Sequence, residues 1–163
     1  MSENDVLEIL KKAIIFERQG QRFYESIAEQ TNNEAVKKIF TAMASEESGH
    51  EKTLLDQYRK FADKGAMQLD QELDVPDEFS EKVLTEEVRS EIDGAGYEAA
   101  AISAAMGLEQ KTVDLYSSRE KEASDSEEKR LYRDLAAWET THLQFLSNLH
   151  REILQNTFFD GVD

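Results

Sequence analysis

Residues 42–52 read AMASEESGHEK and residues 134–144 read DLAAWETTHLQ; aligned, each places a Glu three positions before a His, Glu47 with His50 and Glu139 with His142. In an α-helix that spacing projects both side chains from nearly the same face about one turn apart, so each pair can grip one ion. Further out, each pair has a lone Glu upstream in an apolar stripe, Glu17 in IIFERQGQRFY (14–24) and Glu109 in MGLEQKTVDLY (106–116). The same offset carries Tyr24 onto Tyr116, Phe40 onto Tyr132, Met43 onto Leu135 and Ala13 onto Ala105. The chain reads as two copies of one helical hairpin that meet around a shared site.

The stripes around these residues have the three-then-four spacing of a bundle seam. Val6, Leu10, Ala13, Glu17, Gly20, Tyr24 and Ile27 mark a helix over about 4–30, and Val36, Phe40, Met43, Glu47, His50 and Leu54 mark a second that ends near Asp63-Lys64-Gly65. Ile102, Ala105, Glu109, Thr112 and Tyr116 mark a third over about 97–122. Leu131, Leu135, Glu139, His142 and Leu146 mark a fourth from Ser124 or Ser126 to Gln155, with Asp125 and the two serines as its cap region. One Pro and seven Gly in 163 residues leave little to interrupt helices, and strand signals are essentially missing.

Between the hairpins the composition shifts to Asp70, Glu72, Asp74, Asp77 and Glu78 around Pro76, closing on Gly94 and Gly96. Such a connection is far longer than a helical turn needs and predicts a crossover along the bundle, with a short helix over about 79–88 capped by Ser80. The expectation is one all-α domain over 1–163, a four-helix bundle of ferritin-like connectivity. Its hairpins fall at about 4–64 and 96–155, its crossover at about 65–95, and a tail at 156–163 is frayed or docked through Phe158 and Phe159.

Charge and composition exclude several classes. Acidic residues number 35 against 19 basic ones, and a formal charge of −16 repels a phosphate backbone, so nucleic acid and anionic membrane are not expected partners. The longest nearly apolar stretch, Ala99 to Leu108, is about half the roughly 20 residues a membrane span needs. With no Cys and no basic segment leading into an apolar run at Met1-Ser2-Glu3-Asn4-Asp5, the cytoplasm is the expected location.

Burying an ionised carboxylate without a partner costs several kcal/mol, roughly, so four of them in one layer call for compensating positive charge. Two divalent or trivalent cations supply it, and oxygen-rich coordination with one imidazole apiece suits iron or manganese, with zinc possible. Simple geometry makes Glu47 and Glu139 the bridges, His50 and His142 the ligands of one ion each, and Glu17 and Glu109 the terminal carboxylates. Tyr24 and Tyr116, two turns beyond Glu17 and Glu109, are placed to hydrogen-bond and orient a ligand carboxylate of the neighbouring helix. Glu46 precedes His50 by four residues, but its repeat counterpart is Trp138, so it is not expected to be a ligand; Trp138 is read as packing and His150 as off the ligand face. The competing reading is a pair of repeats whose buried Glu and His residues hydrogen-bond one another.

These motifs resemble those of the rubrerythrin and ferritin-like diiron family, over nearly all of the chain except the crossover and tail. Glu17 matches the family's first-helix ligand, Glu47 and His50 its second-helix pair, Glu109 its third-helix ligand, and Glu139 with His142 its fourth-helix pair. The resemblance implies two iron ions, reaction with hydrogen peroxide or dioxygen, and oxidation of Fe(II) to Fe(III), the six ligands acting through the metals. Rubrerythrins carry a further Glu three residues after the third-helix ligand, where this chain has Thr112, and a Cys-ligated rubredoxin domain, whereas this chain has no Cys. A separate electron donor such as a rubredoxin-like protein is therefore expected. The function expected is that of an oxidoreductase of the rubrerythrin type, the alternatives being an iron-sequestering ferroxidase or a structural bundle with a vestigial site. A homodimer is the expected assembly, and the crossover length makes exchange of hairpins between its subunits feasible.

Overall fold

The computed structural model describes residues 2–70 and 96–160, with side chains described as far as Gln155. Among these residues there are four helices and no strand: α1, Glu3–Gln30; α2, Glu34–Lys64; α3, Tyr97–Glu122; and α4, Ser126–Asp160. The acidic stretch around Pro76 and the helix expected over 79–88 lie outside the described residues.

Local chemistry sets the helix ends. The Asp5 carboxylate accepts from the Ser2 backbone N–H at 2.9 Å. Asn33 Oδ1 accepts from the N–H groups of Ala35 and Val36, satisfying two donors that the first turn of α2 leaves open. Gly65 ends α2 in the left-handed conformation, φ 69°, its N–H donating to the Phe61 carbonyl; that φ favours a residue without Cβ. Asp125 Oδ1 accepts from the Glu128 N–H at the start of α4. The sequence reading ended α4 at Gln155, but the helix runs on through Asp160, because no Gly or Pro interrupts it before Gly161. The Phe158 and Phe159 rings lie outside what is described.

α1 packs along α2 and α3 along α4, as three-residue connections at 31–33 and 123–125 require of antiparallel neighbours, and α1 also meets α3. Two apolar clusters fill the interior. Tyr24, Ile27, Val36, Phe40, Met43, Ile102 and Leu146 belong to one, and Leu10, Ala13, Leu54, Tyr116, Leu131, Tyr132 and Leu135 to the other. On every helix the residues of the acidic layer (Glu17; Glu47 and His50; Glu109; Glu139 and His142) fall between positions of the first cluster and positions of the second. The acidic layer is therefore enclosed at both ends by close-packed hydrocarbon. No helix among the described residues is long and apolar enough to cross a membrane.

Beyond the acidic layer, Arg119 is buried on α3 and its Nε donates to Glu128 Oε1 at 2.6 Å, with Nη2 donating to the same oxygen. A buried guanidinium depends on such a carboxylate, and the exposed Glu122, its Oε2 3.9 Å from Nη1, faces it only at longer range. Gly49 has open space where a Cβ would lie, so its place beside His50 relieves no crowding.

Two stability outcomes are expected. Glu128→Ala leaves the guanidinium buried without its carboxylate and lowers the unfolding free energy by about 3 kcal/mol, read from the urea midpoint of metal-free protein. Gly49→Ala, on an exposed helix face, raises it by about 0.5–1 kcal/mol in the same assay.

Candidate metal centre

Each helix delivers its share of the acidic layer from its inward seam: α1 gives Glu17, α2 Glu47 and His50, α3 Glu109, and α4 Glu139 and His142. All six are buried. The structure brings them together as two overlapping groups, Glu17, Glu47, His50 and Glu139 in one, and Glu47, Glu109, Glu139 and His142 in the other. Within each, one ligand atom per residue lies within 4.8 Å of the rest. Glu47 and Glu139 belong to both.

The sharing is resolved oxygen by oxygen. Glu139 Oε1 lies 2.7 Å from His50 Nδ1 while its Oε2 lies 3.2 Å from His142 Nδ1. Glu47 Oε2 lies 3.9 Å from His50 Nδ1 and its Oε1 3.3 Å from His142 Nδ1. Glu17 Oε2 completes the first group at 3.3 Å from His50 Nδ1, and Glu109 Oε1 the second at 3.6 Å from His142 Nδ1. Each shared carboxylate thus turns one oxygen to each half, as a ligand bridging two ions must.

The hydroxyl of Tyr24 on α1 donates to Glu109 Oε1 on α3, and that of Tyr116 on α3 donates to Glu17 Oε1 on α1. Burial, then the charges of Glu109 for Tyr24 and Glu17 for Tyr116, push both phenols well above their usual range, so they stay protonated and serve as donors. Tyr116 grips Glu17 through Oε1 and leaves Oε2 for the centre, whereas Tyr24 grips Glu109 through Oε1, the same oxygen that faces His142. Glu46 lies outside both groups, its Oε2 2.5 Å from His142 Nε2 and accepting from Trp138 Nε1 at 2.8 Å. Sequence spacing alone does not show that role, because Glu46 is off the ligand stripe and its contacts depend on how α2 and α4 face each other. His150 is in neither group, and the Thr112 hydroxyl donates to the Leu108 carbonyl at 3.1 Å.

The donor set fits metal ions better than it fits itself. Glu17 Oε2, Glu47 Oε1, both Glu139 oxygens and both His50 nitrogens are buried with no hydrogen-bond partner among the described residues. His50 Nδ1 and Glu139 Oε1 approach to 2.7 Å without the alignment that a hydrogen bond requires. Convergence on a common point and not on one another is the arrangement of ligands around an ion, and oxygen with imidazole nitrogen suits iron, manganese or zinc.

Within the layer, protons balance the charge. Burial, then repulsion by Glu139, Glu17 and Glu109, pushes Glu47 well up, and burial with the Glu139 charge pushes Glu109 up to about 8. Burial also acts to raise Glu139, but the two imidazoles outweigh it and hold that carboxyl below its usual range. For His50, burial opposes the proton and the Glu139 and Glu17 carboxylates overcome it, raising the imidazole to about 10. His142 is raised against burial by Glu109, Glu139, Glu46 and Glu47.

A metal cation must displace such protons, because neutral imidazole and ionised carboxylate are the ligating forms. Loading at pH 7.5 should release at least about two protons per chain, one from each imidazole, measured with an indicator dye in weak buffer. His50 and Glu109 bind more protons folded than unfolded. Their stabilisation of metal-free protein is therefore complete below about 6.5 and 4.5 and is lost as pH rises through about 10 and about 8. Its Tm should fall between pH 6 and 9, and that of Mn(II)-loaded protein should fall less.

Comparison with known proteins agrees with this geometry. No curated protein and no solved structure matches the chain. The Rubrerythrin family model matches residues 8–150, a span that contains all six converging residues and both crossing tyrosines. That match covers most of the 163 residues, so the four-helix bundle with its buried Glu and His layer belongs to the rubrerythrin family.

Proposed function

We propose that the protein is a diiron oxidoreductase that reduces hydrogen peroxide or dioxygen as Fe(II) is oxidised. Glu17, Glu47, His50, Glu109, Glu139 and His142 hold the two ions. The observation that carries this reading is the division of Glu47 and Glu139, each with one oxygen toward either imidazole. Two Fe(II) ions, when bound, supply the two electrons that take hydrogen peroxide, with two protons, to two molecules of water.

The chain's own part is placement and shielding. Glu47 and Glu139 would each serve both ions, and Tyr24 and Tyr116 stop Glu109 and Glu17 from swinging by holding one oxygen of each. Leu10, Ala13, Met43, Ala105, Leu135 and Leu146 close the layer above and below, so bulk water does not compete for the reacting positions. Repeated turnover needs an external reductant, and a rubredoxin-like electron donor is the partner this reading calls for.

A second reading rests on Thr112. It stands where rubrerythrins carry a further Glu, and its hydroxyl is committed to the Leu108 carbonyl. A six-residue set without that carboxylate also suits a ferroxidase that oxidises Fe(II) for sequestration without turning over a reductant.

Rapid mixing separates the two. Anaerobic Fe(II)-loaded protein mixed with peroxide should oxidise at least about tenfold faster than with air-saturated buffer, with iron retained after oxidation and re-reduced by added donor. Glu139→Ala should lower the peroxide rate by about a hundredfold or more, as the loss of a bridging ligand demands. Faster oxidation by air with iron accumulating or leaving would favour the ferroxidase, and oxidation no faster than free Fe(II) would overturn both.

A further inference from the structure

The repeat is broken at one position that matters. Glu46 and Trp138 occupy equivalent places, one residue before Glu47 and Glu139, and they meet across the bundle. About 100° of helical rotation turns each away from the ligand stripe and toward the neighbouring helix. Glu46 Oε2 takes two hydrogen bonds from α4, from His142 Nε2 at 2.5 Å and Trp138 Nε1 at 2.8 Å. The Trp138 ring in turn stands edge-on to His50, with centroids 5.0 Å apart and planes at 88°.

The two imidazoles are therefore held differently. His142 has a carboxylate behind the nitrogen that faces away from the centre, which fixes the proton on Nε2 and aims the Nδ1 lone pair inward. His50 Nε2 is buried with no hydrogen-bond partner among the described residues, and an indole edge flanks its ring. A carboxylate behind a ligating imidazole raises its basicity and fixes its orientation, and losing such a partner typically costs about 10–100-fold in metal affinity.

We infer that Glu46 is a positioning residue that makes the two ion positions unequal. The position served by His142, Glu109 and the shared carboxylates is the tighter and fills first; the one served by His50 and Glu17 fills second. The Glu46–Trp138 hydrogen bond seats the indole against His50. This inference rests on the dinuclear reading above.

Trp138 is the only tryptophan of the chain and touches the His50 ring, so its fluorescence reports ion binding directly. Metal-free protein is titrated with Zn(II), followed by calorimetry and by Trp138 emission. Wild type should take up two ions in resolved steps, the larger change in emission accompanying the second. Glu46→Gln keeps the shape, removes the charge, and should weaken the first step by about tenfold or more while changing the second by less than about threefold. Trp138→Phe, followed by calorimetry alone, should leave the first step within about threefold, because the Glu46–His142 contact persists.

If wild type binds no ion, the dinuclear reading fails and takes this inference with it. If wild type binds two ions and Glu46→Gln leaves both steps unchanged, or weakens both equally, the centre stands and the positioning role of Glu46 is overturned.

Discussion

Four carboxylates and two imidazoles share one buried layer, and everything else in this molecule answers the need to neutralise them there. Burial first, and then repulsion between neighbouring carboxylates, raises Glu47 and Glu109. Protons on the imidazoles meet part of the demand. Cations meet it more completely, because a bound ion contacts several oxygens at once. Hydrocarbon on both sides of the layer keeps water from relieving the charge, so the same packing that stabilises the bundle sharpens the site's appetite for metal.

The internal repeat explains how such a layer arises from few ingredients. One hairpin brings one Glu from its first helix and a Glu with a His from its second, which is half of the six-residue layer. Two hairpins facing each other complete it, and the crossing of Tyr24 to Glu109 and Tyr116 to Glu17 ties α1 to α3 where apolar contact between them is limited. Symmetry of the ligands does not extend to their supports. Glu46 and Trp138 replace what would be a matched pair by an acceptor and a donor, and that substitution lets the two halves bond to each other.

Most of the fold was legible because the stripes are long and regular: the seam positions read from Val6 to Ile27 and from Leu131 to Leu146 are buried throughout. The six residues of the layer were legible for the same reason, as charged groups standing where Leu or Ala would otherwise be. What escaped depends on geometry between helices. Glu46 reaches His142 only because α2 and α4 are turned so that positions off both stripes meet. Arg119 near the end of α3 looks like a solvated charge in the sequence and is buried because Glu128 lies opposite it. The end of α4 escaped because the residues from Asn156 on read as a tail, although nothing in Asn156 or Thr157 stops a helix already propagating.

The central claim is that Glu47 and Glu139 are shared between two ions, and the Mössbauer spectrum of iron-loaded, air-oxidised protein tests it most directly. Bridging carboxylates place two ferric ions close enough for their spins to couple. The account predicts one diamagnetic, spin-coupled pair that contains nearly all of the bound iron, two ions per chain. Magnetically isolated ferric iron, at one ion per chain or at two ions without coupling, would contradict it.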